Sequence, residues 1–315
     1  MELINELVDG YASQMSQIDR CIRRIIEKAE GSAREVLLDL HHRGGKRLRP
    51  LLVLLASDLY DYSGPSVIPV AAAVELIHLA ALLHDDVLDE ATTRRGGPTF
   101  NHLWGDKAAV LAGDFLWAES LQLLAGCGEP QLVSIMSQAV SVMCRGEIDQ
   151  LNHRGDFRPE MPLYLQRIED KTAYFIAACC RCGPLLAGRD TAPMGDYGLA
   201  VGMAYQIIDD LLDVVGQARN MGKGVAQDLS LGTVTAPLIF LLQEPLYQRE
   251  AWGAIQGEDK ERLREMLKAS GALEKTWQLA HSYAQRALAQ KERLPDHPLR
   301  EVLGRLALGV IERTY

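Results

Sequence analysis

Apolar residues recur at steps of three and four along almost the whole of this 315-residue chain. This spacing places them on one face of an α-helix, whereas the alternation that marks a half-buried strand is nearly absent. Short stretches rich in Gly, Pro, Asp or Asn interrupt the helical segments, among them DYSGPS, GCGEPQ and LPDHP. Pro69 and Pro237 come just before apolar runs, where a proline fits the first turn of a helix. The pattern predicts an all-α fold with helices of about ten to twenty residues.

No repeat of fixed period, low-complexity tract or change of composition divides the sequence. We therefore expect one domain, residues 1–315, with one large core. The longest gap between predicted helices runs from Gly216 to Ala236. A loop of that length inside a compact domain more often has a function than serves only as a connection, so we expect it to contribute to a functional site.

The composition favours a water-soluble globular protein, with a hydrophobic share of 48% and a charged share of 24%. A nucleic-acid-binding surface is not expected, because it needs a basic field and the formal net charge is -9. The first ten residues carry acids where a signal peptide carries Lys or Arg, and no apolar run approaches the roughly 18 residues that span a bilayer. These features predict a cytoplasmic protein.

Six cysteines include a cluster in the run YFIAACCRCGPLLAG, which consists of Cys179, Cys180 and Cys182. The cluster lacks the paired C-x-x-C spacing and the histidines of a zinc site. We therefore expect buried, reduced thiols rather than a metal or redox centre.

Two acidic clusters interrupt apolar helices. In LLHDDVLDE, Asp85 and Asp89 lie one helical turn apart on one face, and Asp86 is rotated by about 100°. Like charges at that spacing repel each other. The second cluster, in IIDDLLDVVG, repeats the arrangement and consists of Asp209, Asp210 and Asp213.

Two carboxylate clusters of this kind are strongly unfavourable unless cations neutralise them. Mg²⁺ prefers carboxylate and water ligands and usually completes its octahedron with substrate phosphate oxygens. The clusters therefore predict Mg²⁺ and a diphosphate or triphosphate ligand. A solvated helix end is an equal alternative for one cluster, and a weaker one for two clusters that both follow apolar stretches.

Phosphate also needs hydrogen-bond donors. Arg94 and Arg95 follow the first cluster closely, and guanidinium groups bind phosphate through paired hydrogen bonds. In HHRGGKRLRP, Lys46 and Arg49 share a face if the segment is helical. Further candidates are His78, Lys171, Thr172, Gln206 and Lys223. Each of these, taken singly, also has an ordinary interpretation as a surface lysine, a core histidine or an amide that caps the backbone.

Together the motifs resemble those of the trans-prenyltransferases, the polyprenyl diphosphate synthases that join isopentenyl diphosphate to an allylic diphosphate. The resemblance covers roughly residues 40–240 and depends on GGKRLRP, LLHDDVLDEATTRRGGPTFN, AGDFLWAES, GEIDQ, KTAYF and YQIIDDLLDVVG. It implies a single all-α domain, a bundle of helices around a deep central cavity, usually assembled as a dimer.

The resemblance also assigns roles position by position. Isopentenyl diphosphate would be bound by Lys46, Arg49, His78 and Arg95. The allylic diphosphate would be surrounded by Arg94, Lys171, Thr172, Gln206 and Lys223. The metal ligands would be Asp85, Asp89 and Asp209, supported by Asp86, Asp210 and Asp213. Mg²⁺ and the cationic side chains would stabilise departing pyrophosphate, and the allylic cation would then alkylate the isopentenyl double bond without a His or Glu base.

Product length follows from a second part of the resemblance. In this family the residues four and five positions before the first aspartate gate the cavity, and here they are Ala81 and Ala80. Such small side chains imply a long-chain product, built on farnesyl or geranylgeranyl diphosphate. Candidates for the cavity floor are Ile77, Val74, Met136 and Met143. Thr233 departs from the family, since many members carry a lysine there, and in this it resembles the large chain of some two-component heptaprenyl-type synthases.

Several alternatives remain at this point. A class I terpene cyclase shares the first aspartate motif but typically replaces the second, whereas this chain keeps DDLLD and is only 6% aromatic. The others are a short-chain, geranylgeranyl-type synthase, a noncatalytic partner subunit and a helical scaffold. We expect a homodimer or a heteromer with a small regulatory subunit. We also expect transient membrane contact, because the product would be strongly hydrophobic.

Overall fold

The computed structural model describes residues 2–29, 31–42, 45, 47–94, 97–153, 160–215, 234–257 and 259–312. The first eight helices of this described part are α1 (Glu2–Gly10), α2 (Ala12–Ile26), α3 (Ser32–His42), α4 (Leu48–Leu59), α5 (Val67–Leu88), α6 (Phe100–Trp104), α7 (Asp106–Gly126) and α8 (Pro130–Asn152). The later helices are α9 (Met161–Ile168), α10 (Tyr174–Leu186), α11 (Ala192–Val215), α12 (Ala236–Gln243), α13 (Gln248–Gln256), α14 (Lys260–Ala269), α15 (Ala272–Lys291) and α16 (Leu299–Ile311).

The all-α prediction is confirmed, and two small departures from regular helix accompany it. A π-helix, Glu169–Ala173, joins α9 to α10, and a two-residue antiparallel pair, β1 (Thr93–Arg94) with β2 (Gly97–Pro98), follows α5. The breaks predicted at DYSGPS, GCGEPQ and LPDHP all fall at junctions between helices. Pro69 and Pro237 fall in the first turns of α5 and α12, as expected. Four of the described helices exceed the predicted length, since α5, α7, α8 and α11 have 22, 21, 23 and 24 residues.

By internal contacts the chain divides into two units. The N-terminal unit comprises Glu2–Val140 and Ala178–Ala192, and the C-terminal unit comprises Ser141–Ala177 and Pro193–Tyr315. The organisation of residues 1–315 as one domain stays a prediction.

The core of the N-terminal unit is built around α5, which packs against α2, α4 and α7. Nearly every residue of α5 from Val67 to Leu83 is buried, because its apolar side chains surround the helix rather than forming one stripe. The predicted burial of the cysteines is also confirmed, since all three thiols of the cluster are free and fully buried. Burial raises the pKa of Cys179 to about 12.

The C-terminal unit packs α12 against α13 and α15, and α15 against α16. Helix α11 is anchored in this unit by Tyr197, whose buried hydroxyl donates a hydrogen bond to the carbonyl oxygen of Leu303 at 2.7 Å. A Cβ at Gly202 would lie 2.6 Å from Cα of Ala173, so glycine permits a close approach of α11 to the π-helix.

Two described helices, α5 and α7, are long and apolar enough to cross a membrane by length and composition alone. The expectation that no segment approaches this length is therefore wrong. The most apolar window of α5 is 72% buried inside the protein, and that of α7 is 39% buried. Core helices of soluble proteins pass the same test, so the two helices are weak evidence for a membrane protein.

Candidate active site

The first aspartate cluster lies at the C-terminal end of α5. The helix ends at Leu88, and the backbone N–H of Asp89 donates to the carbonyl oxygen of Asp85 at 2.9 Å. Asp86 is 1% exposed, whereas Asp85 and Asp89 are both only partly buried. The helix therefore turns one carboxylate into the protein and keeps the outer two nearer to solvent.

Arg94 of β1 neutralises the buried carboxylate. Its Nε donates to Oδ1 of Asp86 at 2.6 Å, while the side-chain amide of Asn101 donates to the Asp86 carbonyl oxygen at 3.1 Å. Burial raises the pKa of Asp86 above its usual value, Arg94 lowers it in part, and the charge of Asp89 adds a smaller increase. Arg94 therefore fixes the first cluster in addition to the role in diphosphate binding that the resemblance gives it.

The segment AGDFLWAES supports the same cluster from α7. Nε2 of His84 lies 3.1 Å from the carbonyl oxygen of Val110 and 3.5 Å from Oδ1 of Asp114. A Cβ at Gly113 would lie 2.3 Å from this ring nitrogen, so any larger residue there would displace the ring from this position. Gly113 therefore provides the space that the ring of His84, the residue next to Asp85, occupies.

The basic segment GGKRLRP is anchored through Arg47, a residue that the sequence reasoning missed. Arg47 has a left-handed backbone with φ of 52°, and its Nη1 donates to Oε1 of Glu75 at 2.6 Å. Its Nη2 also donates to the carbonyl oxygen of His41 at 3.0 Å. Glu75 was the available signal, because a carboxylate inside the apolar run AAAVELIHL requires a cation nearby.

Two of the residues assigned to isopentenyl diphosphate lie on the elements that this anchor joins. Arg49 is in the first turn of α4, and His78 follows Glu75 by three residues on α5, so that both belong to the elements joined by Arg47. Both are partly buried. Lys46 and Arg95 lie outside the described residues, as do Lys223 and Thr233.

The second aspartate cluster lies near the end of α11 and again has a buried member. Asp210 is 7% exposed and accepts hydrogen bonds from Oη of Tyr164 at 2.7 Å and Nε2 of Gln206 at 2.8 Å. Asp209 is partly buried and Asp213 is exposed. Oε1 of Gln206 accepts a hydrogen bond from Oγ1 of Thr172 at 2.9 Å, so Gln206 joins two predicted site residues rather than capping a backbone group.

The segment GEIDQ positions Lys171. Nζ of Lys171 forms an ion pair with Glu147 at 2.5 Å and donates to Oε1 of Gln150 at 3.0 Å. A Cβ at Gly146 would lie 3.0 Å from Cβ of Asp170, so this part of α8 packs closely on the π-helix. Local spacing does not reveal this role of GEIDQ, because 21 residues separate Gln150 from Lys171.

The chain-length candidates lie on α5, in the three turns that precede the aspartates, and on α8. Ala80 and Ile77 are buried and Ala81 is partly buried. Val74 and Met136 are fully buried, and Met143 is partly buried. Their effect on product length stays a prediction.

The donor set fits Mg²⁺ held jointly with substrate. Among the residues that the structure describes, no group of three or more His, Cys, Asp or Glu side chains is arranged to hold a metal ion. Mg²⁺ typically uses one or two carboxylates together with waters and phosphate oxygens, so a complete protein cage is not required. More exposed carboxylates beside a buried, hydrogen-bonded one suit that mode of binding. The assignment to Asp85, Asp89 and Asp209 stays a prediction.

Comparison with known proteins identifies the family. Residues 31–272 match the model of the polyprenyl synthetase family. Heptaprenyl diphosphate synthase component 2 of Geobacillus stearothermophilus is 35% identical over 311 residues, which are 96% of this chain and 97% of that protein. Octaprenyl diphosphate synthase of Escherichia coli K12 is 35% identical over 322 residues, covering 99% of both chains.

A solved structure agrees with these relatives. The polyprenyl synthase of Caulobacter crescentus CB15, whose crystal structure is described as complexed with calcium and isoprenyl diphosphate, superposes with a TM-score of 0.90 at 34% identity. The match covers 99% of this chain and 98% of that one. The chain therefore belongs to the polyprenyl synthetase family and is a prenyltransferase, a trans-polyprenyl diphosphate synthase of the long-chain type.

Proposed function

We propose that this synthase is Mg²⁺-dependent and extends farnesyl or geranylgeranyl diphosphate by successive condensations with isopentenyl diphosphate. The observation that carries the proposal is the common design of the two aspartate clusters. In each, protein donors hydrogen-bond to the buried middle carboxylate, and the flanking carboxylates lie nearer to solvent. The two curated relatives named above are heptaprenyl and octaprenyl synthases, and the Caulobacter enzyme was crystallised with a divalent cation and an isoprenyl diphosphate.

The proposed chemistry uses few protein groups. Mg²⁺, when held by Asp85, Asp89 and Asp209, supplies positive charge that stabilises the departing pyrophosphate. Lys171 and Thr172 offer an ammonium group and a hydroxyl to the allylic diphosphate, and Arg49 and His78 bind isopentenyl diphosphate. The allylic C–O bond breaks with its electron pair going to pyrophosphate, the isopentenyl double bond attacks the resulting cation, and a proton passes to the pyrophosphate.

The small side chains on α5 favour a long product. Ala81 and Ala80 precede Asp85 by about one helical turn, and their methyl side chains take up little of the space that a growing chain would need. Ile77 and Val74 lie one and two turns further from the aspartates, where they offer a floor. We expect products of the length class of the heptaprenyl and octaprenyl relatives.

We also propose a homodimer in the cytoplasm, with transient membrane contact when the product leaves. Apolar side chains remain exposed on α6 and α7 of the N-terminal unit, at Leu103 (50%), Trp104 (44%) and Leu111 (68%). Such a surface is typical of a protein interface. The alternative assembly is a heteromer with a small regulatory subunit, which the name of the Geobacillus relative, component 2, supports.

The test incubates the purified chain alone with Mg²⁺, labelled isopentenyl diphosphate and farnesyl diphosphate, and resolves the dephosphorylated products by length. We expect a ladder that ends at long prenols. A single geranylgeranyl product would contradict the long-chain part of the proposal, and cyclic hydrocarbons would identify a cyclase. Absence of extension, both alone and with a candidate small subunit, would contradict the proposal altogether.

Alanine variants test the aspartate clusters in the same assay. Asp85→Ala and Asp209→Ala should each abolish turnover, with a loss of about a thousandfold or more, while the far-UV circular dichroism stays unchanged. Asp9→Ala, at an exposed position of α1, is the matched control and should retain full activity. Full activity in either cluster variant would overturn the metal assignment.

A further inference from the structure

The phenol of Tyr164 is buried in the C-terminal unit and bonded to the second aspartate cluster. Tyr164 is 1% exposed, and its Oη donates to Oδ2 of Asp210 at 2.7 Å. Neither the sequence motifs nor the proposed chemistry gives this residue a role. A buried hydroxyl with a charged acceptor forms a short, strong hydrogen bond, so Tyr164 constrains the carboxylate rather than simply filling space.

The other oxygen of Asp210 is bonded as well. Nε2 of Gln206, one turn earlier on α11, donates to Oδ1 at 2.8 Å, and Oε1 of Gln206 accepts from Oγ1 of Thr172 at 2.9 Å. Three consecutive hydrogen bonds therefore connect Tyr164 on α9, Asp210 and Gln206 on α11, and Thr172 on the π-helix. With both oxygens bonded, the Asp210 carboxylate has one orientation.

Tyr164 is itself held in place by its surroundings. The guanidinium of Arg167, one turn later, lies 5.6 Å from the centroid of the Tyr164 ring. Nη2 of Arg167 donates to the carbonyl oxygen of Val234 at 2.8 Å, immediately before α12. The ring of Tyr164 therefore has a contact of its own besides the hydrogen bond from its hydroxyl to Asp210.

We infer that Tyr164 is a positioning residue for the diphosphate site: through Asp210 it fixes the second aspartate cluster so that Asp209 is presented for Mg²⁺ and diphosphate. This inference rests on the proposed function. Its physical basis is the mutual repulsion of the carboxylates in DDLLD. This repulsion turns the aspartate side chains away from one another unless hydrogen-bond donors hold one of them in place. Removal of groups that orient metal ligands typically costs 10- to 100-fold in metal affinity.

The experiment compares Tyr164→Phe with Tyr197→Phe. Each substitution deletes one buried phenol hydroxyl from the C-terminal unit, but the hydroxyl of Tyr197 bonds a backbone carbonyl oxygen, that of Leu303. The readout is calorimetric binding of inorganic pyrophosphate to the unreacting enzyme at a series of Mg²⁺ concentrations. We expect Tyr164→Phe to need about tenfold more Mg²⁺ for half-maximal binding, and Tyr197→Phe to match the unchanged chain.

Equal Mg²⁺ requirements in the two variants would overturn the inference, even if both lose thermal stability. A second comparison, in the Asp210→Asn background, tests whether Tyr164 acts through Asp210: the effect of Tyr164→Phe should then largely disappear, and a fully additive effect would also overturn the inference. The proposed function fails in a different way, since the unchanged chain would then show neither Mg²⁺-dependent pyrophosphate binding nor extension of farnesyl diphosphate.

Discussion

At the scale of single residues, several buried charges in the described part of the chain are paired with an opposite charge. Glu75 is 3% exposed on α5, and Arg47 supplies the compensating charge from the segment GGKRLRP. Oδ1 of Asp19 lies 3.3 Å from Nη2 of the same arginine, and a hydrogen bond from His41 lowers the pKa of Asp19. The pairing ties a substrate-binding segment to the helix that carries the first aspartate cluster. The buried carboxylate of Asp86 is paired in the same way with the guanidinium of Arg94.

Loss of Arg47 should lower the stability of the folded protein. Arg47→Met keeps the aliphatic packing but leaves Glu75 buried without its cation, so we expect the free energy of unfolding to fall by about 3 kcal/mol. The measurement is urea denaturation followed by circular dichroism. Arg293→Met is the control, because Arg293 pairs with Asp196 at 2.7 Å on the surface and should lose less than about 1 kcal/mol. The double variant Arg47→Met, Glu75→Met should recover most of the loss, and failure to recover would refute the charge-burial explanation.

At the scale of secondary-structure elements, glycine decides how closely two helices approach. A Cβ at Gly183 of α10 would lie 2.2 Å from the backbone carbon of Ala56 and 2.4 Å from the backbone nitrogen of Ser57 on α4. Backbone atoms cannot rotate away, unlike the end of a side chain. The crossing of α10 and α4 in the N-terminal unit therefore requires glycine at this position.

Gly183→Ala should accordingly destabilise the protein by roughly 3 kcal/mol through overpacking. Gly253→Ala in α13 is the opposite case, since a Cβ there meets nothing within 4 Å. It should stabilise the helix by about 0.5–1 kcal/mol, because alanine loses less conformational entropy than glycine. Thermal unfolding of both variants measures the contrast, and a Gly183→Ala protein as stable as Gly253→Ala would show that the two helices can separate at little cost.

Helix α5 also carries the prediction on product length. Ala81→Phe places a ring about one turn from Asp85, a distance of about 5.4 Å that is close to the length of one isoprene unit. We expect the product distribution to shift to shorter prenols while turnover of the first condensation is retained. Chromatography of the dephosphorylated products measures this shift, with Ala289→Phe, on the exposed face of α15, as control. An unchanged distribution would place the floor of the cavity elsewhere.

At the scale of the whole molecule, the sequence was sufficient for what depends on local spacing and insufficient for what depends on distant partners. Helical periodicity predicted the all-α class, and the spacing of the aspartates placed them at the ends of α5 and α11. The partner of Asp86 is Arg94, which is only eight residues away and belongs to the same sequence motif. Tyr164 and Asp210 are 46 residues apart, and Arg47 and Glu75 are 28 apart. No periodicity encodes such pairs, although a lone charge in an apolar run indicates that a partner must exist.

The cysteines offer a measurement of global packing. Cys144 is exposed, whereas burial raises the pKa of Cys179 to about 12 and raises those of Cys180 and Cys182 well above the usual value. The thiolate is the reactive form, so at pH 8 these three thiols should react only when the N-terminal unit opens. We expect Cys144 to be labelled first by a chromogenic disulfide reagent, the half-buried Cys21 and Cys127 to follow slowly because burial also raises their pKa, and all six to react in urea. The variant Cys144→Ser should remove the fast phase alone. Fast labelling of the 179–182 cluster in the folded protein would mean that α10 is not packed as a core helix, and would reopen a redox interpretation of the cluster.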